Sequence, residues 1–187
     1  MNIFVTGSSR GVGAALAIQL NCNGHMVYPG SRADGIDISN KEDREYIKEL
    51  LDVVDVFVNN AYDPIGQLEL LKTAVEAWEG TNKLIVNINS KSIFADKQLP
   101  EMEEYISAKK AQTEFIESRR LRASPQIINV YLGLVDTEMS SIFDAKKLDT
   151  VDIAKLLSNL IELKDTIYVQ EIMLDVPGQD WNDIKVK

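Results

Sequence analysis

The chain has 187 residues, 45% of them hydrophobic, which suits one domain with an ordinary core. Its 20 basic residues against 29 acidic give a net charge of -9 and a pI of about 4.7, which argues against nucleic acid and an anionic membrane surface as partners. Cys22 stands alone, so no internal disulfide forms. His25 has no second histidine or cysteine cluster beside it, Met1 leads directly into an apolar run, and no apolar stretch nears the ~20 residues of a membrane helix, so the expectation is a cytoplasmic protein without a metal.

Residues 2–6 read as a strand and residues 12–22 as a helix. Between them lies Thr6-Gly7-Ser8-Ser9-Arg10-Gly11-Val12-Gly13. Strand, glycine-rich turn and helix form the setting in which such a run binds a dinucleotide. Gly7 permits a sharp turn. Gly11 lets the backbone approach a pyrophosphate, and Gly13 lets the helix pack closely on the sheet. The helix N-terminus offers N–H groups and a partial positive charge to an anion.

Residues 25–29 predict a second strand, followed by Gly30-Ser31-Arg32-Ala33-Asp34. An acidic residue after this strand holds the ribose 2′-OH of NAD, whereas an arginine accommodates the 2′-phosphate of NADP. Ile36-Asp37-Ile38 predicts a short third strand and residues 41–51 a helix. Asp55 to Asn59 is the fourth strand and residues 67–79 a helix. Lys83 to Asn89 is the fifth strand, residues 101–122 a long helix, and Gln126 to Tyr131 the sixth strand. Residues 150–163 form a helix, and Ile167 to Leu174 the last strand. Apolar strands alternating with helices indicate a doubly wound parallel α/β sheet, covered on both faces. No repeat or linker divides it, so residues 1–187 are expected to form a single domain.

Several stretches resemble the short-chain dehydrogenase/reductase family. The T-G-x-x-x-G-x-G loop has the family's form, and Gly7, Ser9, Arg10, Gly11, Val12 and Gly13 fall in it. Asn59-Asn60-Ala61-Tyr62 resembles the family's N-N-A-G, with Tyr62 in place of glycine. Ile85 to Ser90 resembles the strand that ends in the catalytic serine. Tyr105-Ile106-Ser107-Ala108-Lys109 matches Y-x-x-x-K, whose spacing of four puts both side chains on one helix face. Asn129 to Thr137 resembles N-x-x-x-P-G-x-V-x-T, with Leu132 in place of proline. Leu174 to Trp181 looks like the family's last strand and tail.

The resemblance implies a Rossmann-type fold and carbonyl reduction or alcohol oxidation by hydride transfer. Tyr105 would be the acid/base, its pKa lowered by the Lys109 ammonium, and Lys109 would also hold the nicotinamide ribose. Ser90 would orient the substrate oxygen. Arg10 and Arg32 match the basic positions of members that prefer NADP(H), with NAD(H) the alternative. Asp37 would bond the adenine amino group, with Ile38 beside the ring. Asn60 and Ala61 would border the adenosine ribose, Val135 would offer its backbone to the carboxamide and Thr137 its hydroxyl.

The family's relay asparagine has no counterpart in residues 61–81, where Gln67 is the available amide. The short stretch between Met139 and Asp149 implies an open substrate pocket. The family's pairing of long helices implies a homo-oligomer through residues 101–122. The alternative function is a dinucleotide-binding sensor or regulator with little turnover.

Overall fold

The computed structural model describes residues 1–96, 100–122, 124–181 and 184–186. The elements in chain order are β1 (Asn2–Thr6), α1 (Gly11–Cys22), β2 (Met26–Gly30), α2 (Lys41–Leu50), β3 (Val56–Asn59), α3 (Gly66–Ala77) and β4 (Leu84–Ser90). There follow α4 (Glu103–Glu117), β5 (Gln126–Leu132), β6 (Phe143–Asp144), α5 (Thr150–Glu162), β7 (Glu171–Leu174) and β8 (Lys185–Val186). Six strands form one parallel sheet in the order β2-β1-β3-β4-β5-β7, while β6 and β8 make a small antiparallel pair. The chain starts at β1, beside the edge strand β2, and winds outward from it both ways. That leaves a crevice at the carboxyl ends of β1 and β3, the switch point of such sheets.

Both faces of the sheet are covered, so its inner strands β1, β3, β4 and β5 are mainly apolar. Ile3, Val5, Val56, Val58, Val86 and Val130 face α1 and α5, where they meet Leu16, Leu20, Leu157 and Ile161. Phe4, Phe57, Ile85 and Ile127 face the other way, onto Ile47, Leu70, Val75 and Trp78 of α2, α3 and the turn after α3. The Trp78 indole also donates to the Leu51 carbonyl at 3.0 Å, so its polar atom is satisfied in the core.

Three sequence expectations need correction. No strand forms at Ile36-Asp37-Ile38. After β2 the chain makes a 3-10 turn over Arg32–Asp34, leaves it through Gly35 in the left-handed region, and enters α2 at Lys41. That span is too short for a crossover and a return strand. Ile38 instead turns into the core with Phe4 and Ile47, which accounts for its apolar character without a strand. β2 is therefore an edge strand and carries Pro29, a residue that edges tolerate.

The helix expected over residues 101–122 is a 3-10 turn, Pro100–Met102, followed by α4 proper, which ends at Glu117. Beyond it, Arg119 and Arg122 pair with Glu79, and Arg120 with Glu117 and Glu171, so these charges are spent within the chain. The last sheet strand begins at Glu171 rather than Ile167.

Gly13 shows why the loop sequence is demanding. A Cβ there would stand 2.3 Å from the Gly7 carbonyl oxygen and 2.5 Å from Asn60 Nδ2. Gly13→Ala is expected to destabilise the fold by about 1–3 kcal/mol through overpacking. Urea unfolding checks this, and a variant as stable as the parent would refute the close-packing account.

Candidate functional site

The turn after β1 is built by two left-handed glycines, Gly7 at φ 69° and Gly11 at φ 58°. Thr6 and Asn60 fasten it. Thr6 Oγ1 accepts from the backbone N–H groups of Asn60 (2.9 Å) and Ala61 (3.1 Å), and donates to the Val58 carbonyl at 3.2 Å. Asn60 Nδ2 donates to the Thr6 carbonyl at 2.8 Å. Ala61 lies against Gly7, whose added Cβ would come within 3.3 Å of the alanine methyl. Ser9 is exposed at the tip of the loop. No side chain caps the start of α1, and no acidic residue occupies its first turn. The leading N–H groups of Gly11, Val12 and Gly13 thus lie at the open end of the helix dipole.

The segment after β5 closes onto this loop. A Cβ at Gly11 would stand 3.2 Å from Thr137 Cγ2. Arg10, expected to point at a phosphate, instead pairs with Glu138 across the same gap, both side chains being exposed. Val135 is held by a short parallel bridge to Leu148, and its carbonyl accepts from the Ser140 hydroxyl.

On the β2 side, Asp34 folds back. It accepts from the Ser31 hydroxyl at 2.5 Å and from the Ser31 N–H at 3.1 Å, with the Ser8 hydroxyl at 3.5 Å. Arg32 is exposed on the same turn. Asp37 Oδ1 accepts from the Ser39 N–H, which holds its carboxyl below the usual range, and the nearby Arg32 charge adds to this. Ile38, expected beside a ring, is a core residue at 5% exposure.

The second half of the site lies at the carboxyl end of β4. Ser90, the last residue of that strand, shares a 2.8 Å hydrogen bond with the Ser92 hydroxyl and lies close enough to the Tyr105 phenol to favour its ionised form. Tyr105 and Lys109 share one face of α4. Lys109 is buried and donates to the Ile88 carbonyl at 2.7 Å and to Gln67 Oε1 at 2.8 Å. Its Nζ lies 5.7 Å from the ring centres of both Tyr105 and Tyr62, and those two rings meet edge-on at 4.8 Å. The structure thus brings Tyr105 and Lys109 of α4 beside Ser90 at the end of β4.

The expected electrostatics are reversed. Burial pushes the Tyr105 phenol above its ordinary value, and the nearby Ser90 hydroxyl offsets only part of that. Burial also lowers Lys109 to about 7, so the ammonium whose field was to acidify Tyr105 is itself easily lost.

Sequence reasoning left the surrounding amides unread. Asn59, Asn87 and Asn129 stand in register on β3, β4 and β5, all fully buried. Asn59 Nδ2 donates to Asn87 Oδ1 (2.9 Å), Asn87 Nδ2 to Asn129 Oδ1 (3.0 Å), and Asn129 Nδ2 to the Tyr131 phenol (2.8 Å). Gln112, one turn beyond Lys109, accepts from Asn87 at 3.1 Å and donates to Gln67 Oε1 at 3.0 Å. The available signal was the spacing of Lys109 and Gln112, which puts an amide on the lysine's own helix face.

Beside Ser90, a cleft of about 390 Å³ opens between Lys91, Phe94 and the tail at Gly178–Trp181. Asp175 ties two of its lining residues together, accepting from Lys91 and, at 2.7 Å, from the Trp181 indole.

No sequence-family model and no curated protein matches the chain, but solved structures do. An alcohol dehydrogenase from Thermococcus sibiricus, complexed with 5-hydroxy-NADP, superposes with TM-score 0.76 at 20% identity, covering 96% of this chain and 97% of that one. A short-chain dehydrogenase from Burkholderia cenocepacia with NADP gives 0.75 at 24% identity, covering 94% and 88%. The 3-ketoacyl-(acyl-carrier-protein) reductase from Brucella melitensis with NADH gives 0.75 at 16%, covering 94% and 96%. The fold is that of the short-chain dehydrogenases and reductases, a Rossmann-type α/β sheet.

Proposed function

We infer that the protein is a nicotinamide-dinucleotide-dependent oxidoreductase that interconverts a small carbonyl compound and its alcohol. The observation that carries this reading is the convergence of Ser90, Tyr105 and Lys109 at the sheet end where the glycine loop opens. The loop fits the cofactor. Gly7 and Gly13 let the turn and the start of α1 pack closely on each other and on Asn60, and α1 presents uncapped N–H groups to a pyrophosphate. Gly7, Ser9, Arg10, Gly11, Val12 and Gly13 would hold the phosphates. Asp37, Asn60 and Ala61 would border the adenosine half, and Lys109, Val135 and Thr137 the nicotinamide half. The dinucleotide, when bound, supplies or accepts the hydride.

The chain's own residues handle the proton. Ser90 donates to the substrate oxygen and fixes it beside the phenol. Tyr105 gives its proton to that oxygen in reduction and takes one from it in oxidation. Lys109, while protonated, supplies the positive field that steadies the phenolate, a contribution that fades as pH rises past about 7. The protein is further read as a homo-oligomer of the kind formed by short-chain reductases.

NADP(H) is the favoured cofactor, on Arg32. Its guanidinium is exposed beside the turn after β2 and is free of any ion pair among the described residues, whereas Arg10 must first leave Glu138. Fluorescence titration should show NADPH binding at least tenfold more tightly than NADH, with Arg32→Ala erasing the preference, as expected for loss of a charge-assisted bond of about 1.5–3 kcal/mol. Equal binding of the two cofactors would overturn the NADP assignment, and binding of neither would overturn the reductase reading.

One observation favours the alternative, a binder with little turnover. The Tyr62 ring lies against Tyr105, at a place where the resembled family carries glycine. Turnover with a panel of aldehydes, ketones and quinones separates the two.

A further inference from the structure

We propose that Gln67, braced by Gln112, is the positioning residue of Lys109, and that this neutral amide clamp, by giving the amine no counter-charge, leaves the protonation of the Ser90–Tyr105–Lys109 set free to change with pH. The inference rests on the oxidoreductase reading for its functional meaning, but its geometry stands alone.

Gln67 is fully buried, and both ends of its amide are used. Nε2 donates to the carbonyls of Asn59 and Ile88, each at 3.0 Å. Oε1 is thereby held facing Lys109 Nζ at 2.8 Å, and it also accepts from Gln112 Nε2 at 3.0 Å. Gln112 is fixed in turn by Asn87. An amide with four bonds in a closed interior has one orientation, so the lysine amine has one position.

The partners' chemistry decides what the position does. Lys109 sits between the Gln67 oxygen and the Ile88 carbonyl, both neutral. Among the described residues it makes no ion pair. The titratable groups that face it are phenols, Tyr105 on α4 and Tyr62 after β3. The acidic groups acting nearby, Glu104 and Asp63, bear on Tyr62. α3 presents only Gln67, and β4 presents Asn87, Asn89 and the Ile88 carbonyl. A carboxylate at residue 67 would hold the ammonium charged at every physiological pH. An amide orients it and leaves its proton free to leave as burial demands.

The test reads Lys109 directly. Protein labelled with 13C-lysine is titrated by NMR, with the Lys109 signal assigned by its loss in Lys109→Met. Gln67→Glu should raise the Lys109 midpoint by about one to three pH units. Gln67→Met, which removes the acceptor without adding charge, should lower it and broaden the signal, keeping the test open if the glutamate variant does not fold. In parallel, the pH limb of kcat should move with the midpoint in each variant.

A Lys109 midpoint indifferent to residue 67 in folded protein would overturn the proposal, whatever the turnover. A midpoint that moves in a protein showing no turnover with any carbonyl would support the clamp and sink the oxidoreductase reading instead.

Discussion

Tyr105→Phe should lower turnover by about 10²- to 10⁴-fold, the range for removing a positioned proton donor. Dinucleotide binding should remain measurable, because the glycine loop and α1 are untouched. On the proposed mechanism, Ser90→Ala should cost about 10²- to 10³-fold, by removing the donor to the substrate oxygen and the hydroxyl beside the phenol. The measurement is steady-state turnover with NADPH, beside fluorescence titration of each variant. Full turnover by Tyr105→Phe would remove the phenol from the mechanism.

The second large effect is on stability. Burial lowers Lys109 to about 7 in the fold, from an ordinary lysine value of 10.5. Its folded value is depressed, and for a base this means that the unfolded chain holds a proton the folded chain has lost. Between about pH 7 and pH 10, stability therefore rises with pH, at up to about 1.4 kcal/mol per unit from this group, or about 4 kcal/mol over the window. Below about pH 7 both states are protonated and the contribution is flat. Above about pH 10 the raised value of Tyr105 works the other way, because the unfolded phenol ionises first. Urea unfolding of the parent and of Lys109→Met across the window isolates the effect. The parent should gain stability relative to the variant as pH rises. Parallel curves would show that the lysine is not desolvated as its burial implies.

The parts of the molecule that could be read in the sequence are those governed by local rules. β1, the glycine turn and α1 follow from residue types whose φ and packing demands are particular to glycine. Ser90, Tyr105 and Lys109 were singled out by the resemblance to the short-chain dehydrogenases and reductases, and the structure keeps the strand end and the helical spacing on which that resemblance rests. The strand expected at Ile36–Ile38 failed because an apolar alternation reports which side chains are buried, not what buries them. Ile38 reaches the core from a turn. The amide row escaped notice because Asn59, Asn87 and Asn129 lie far apart in the chain, and only the ladder registers bring them side by side. The state of Lys109 was misjudged for a related reason. Its charge depends on burial and on the absence of a carboxylate among its neighbours, which arise from α3, α4 and β4 together.

The same asparagines bear on how the chain finds its sheet. Hydrophobic patterning tells one face of a strand from the other, but a slip of two residues leaves that pattern intact. Here such a slip does not pass unnoticed. In one direction β4 would set Ile85 against Asn59 and Asn129, stranding amides in a dry interior at about 1–3 kcal/mol for each group left without a partner. In the other, Asn89 would come opposite Asn59, and Asn87 would be carried away from Gln112. The row thus acts as a proofreading mark for strand alignment, one that grease alone has no means to write.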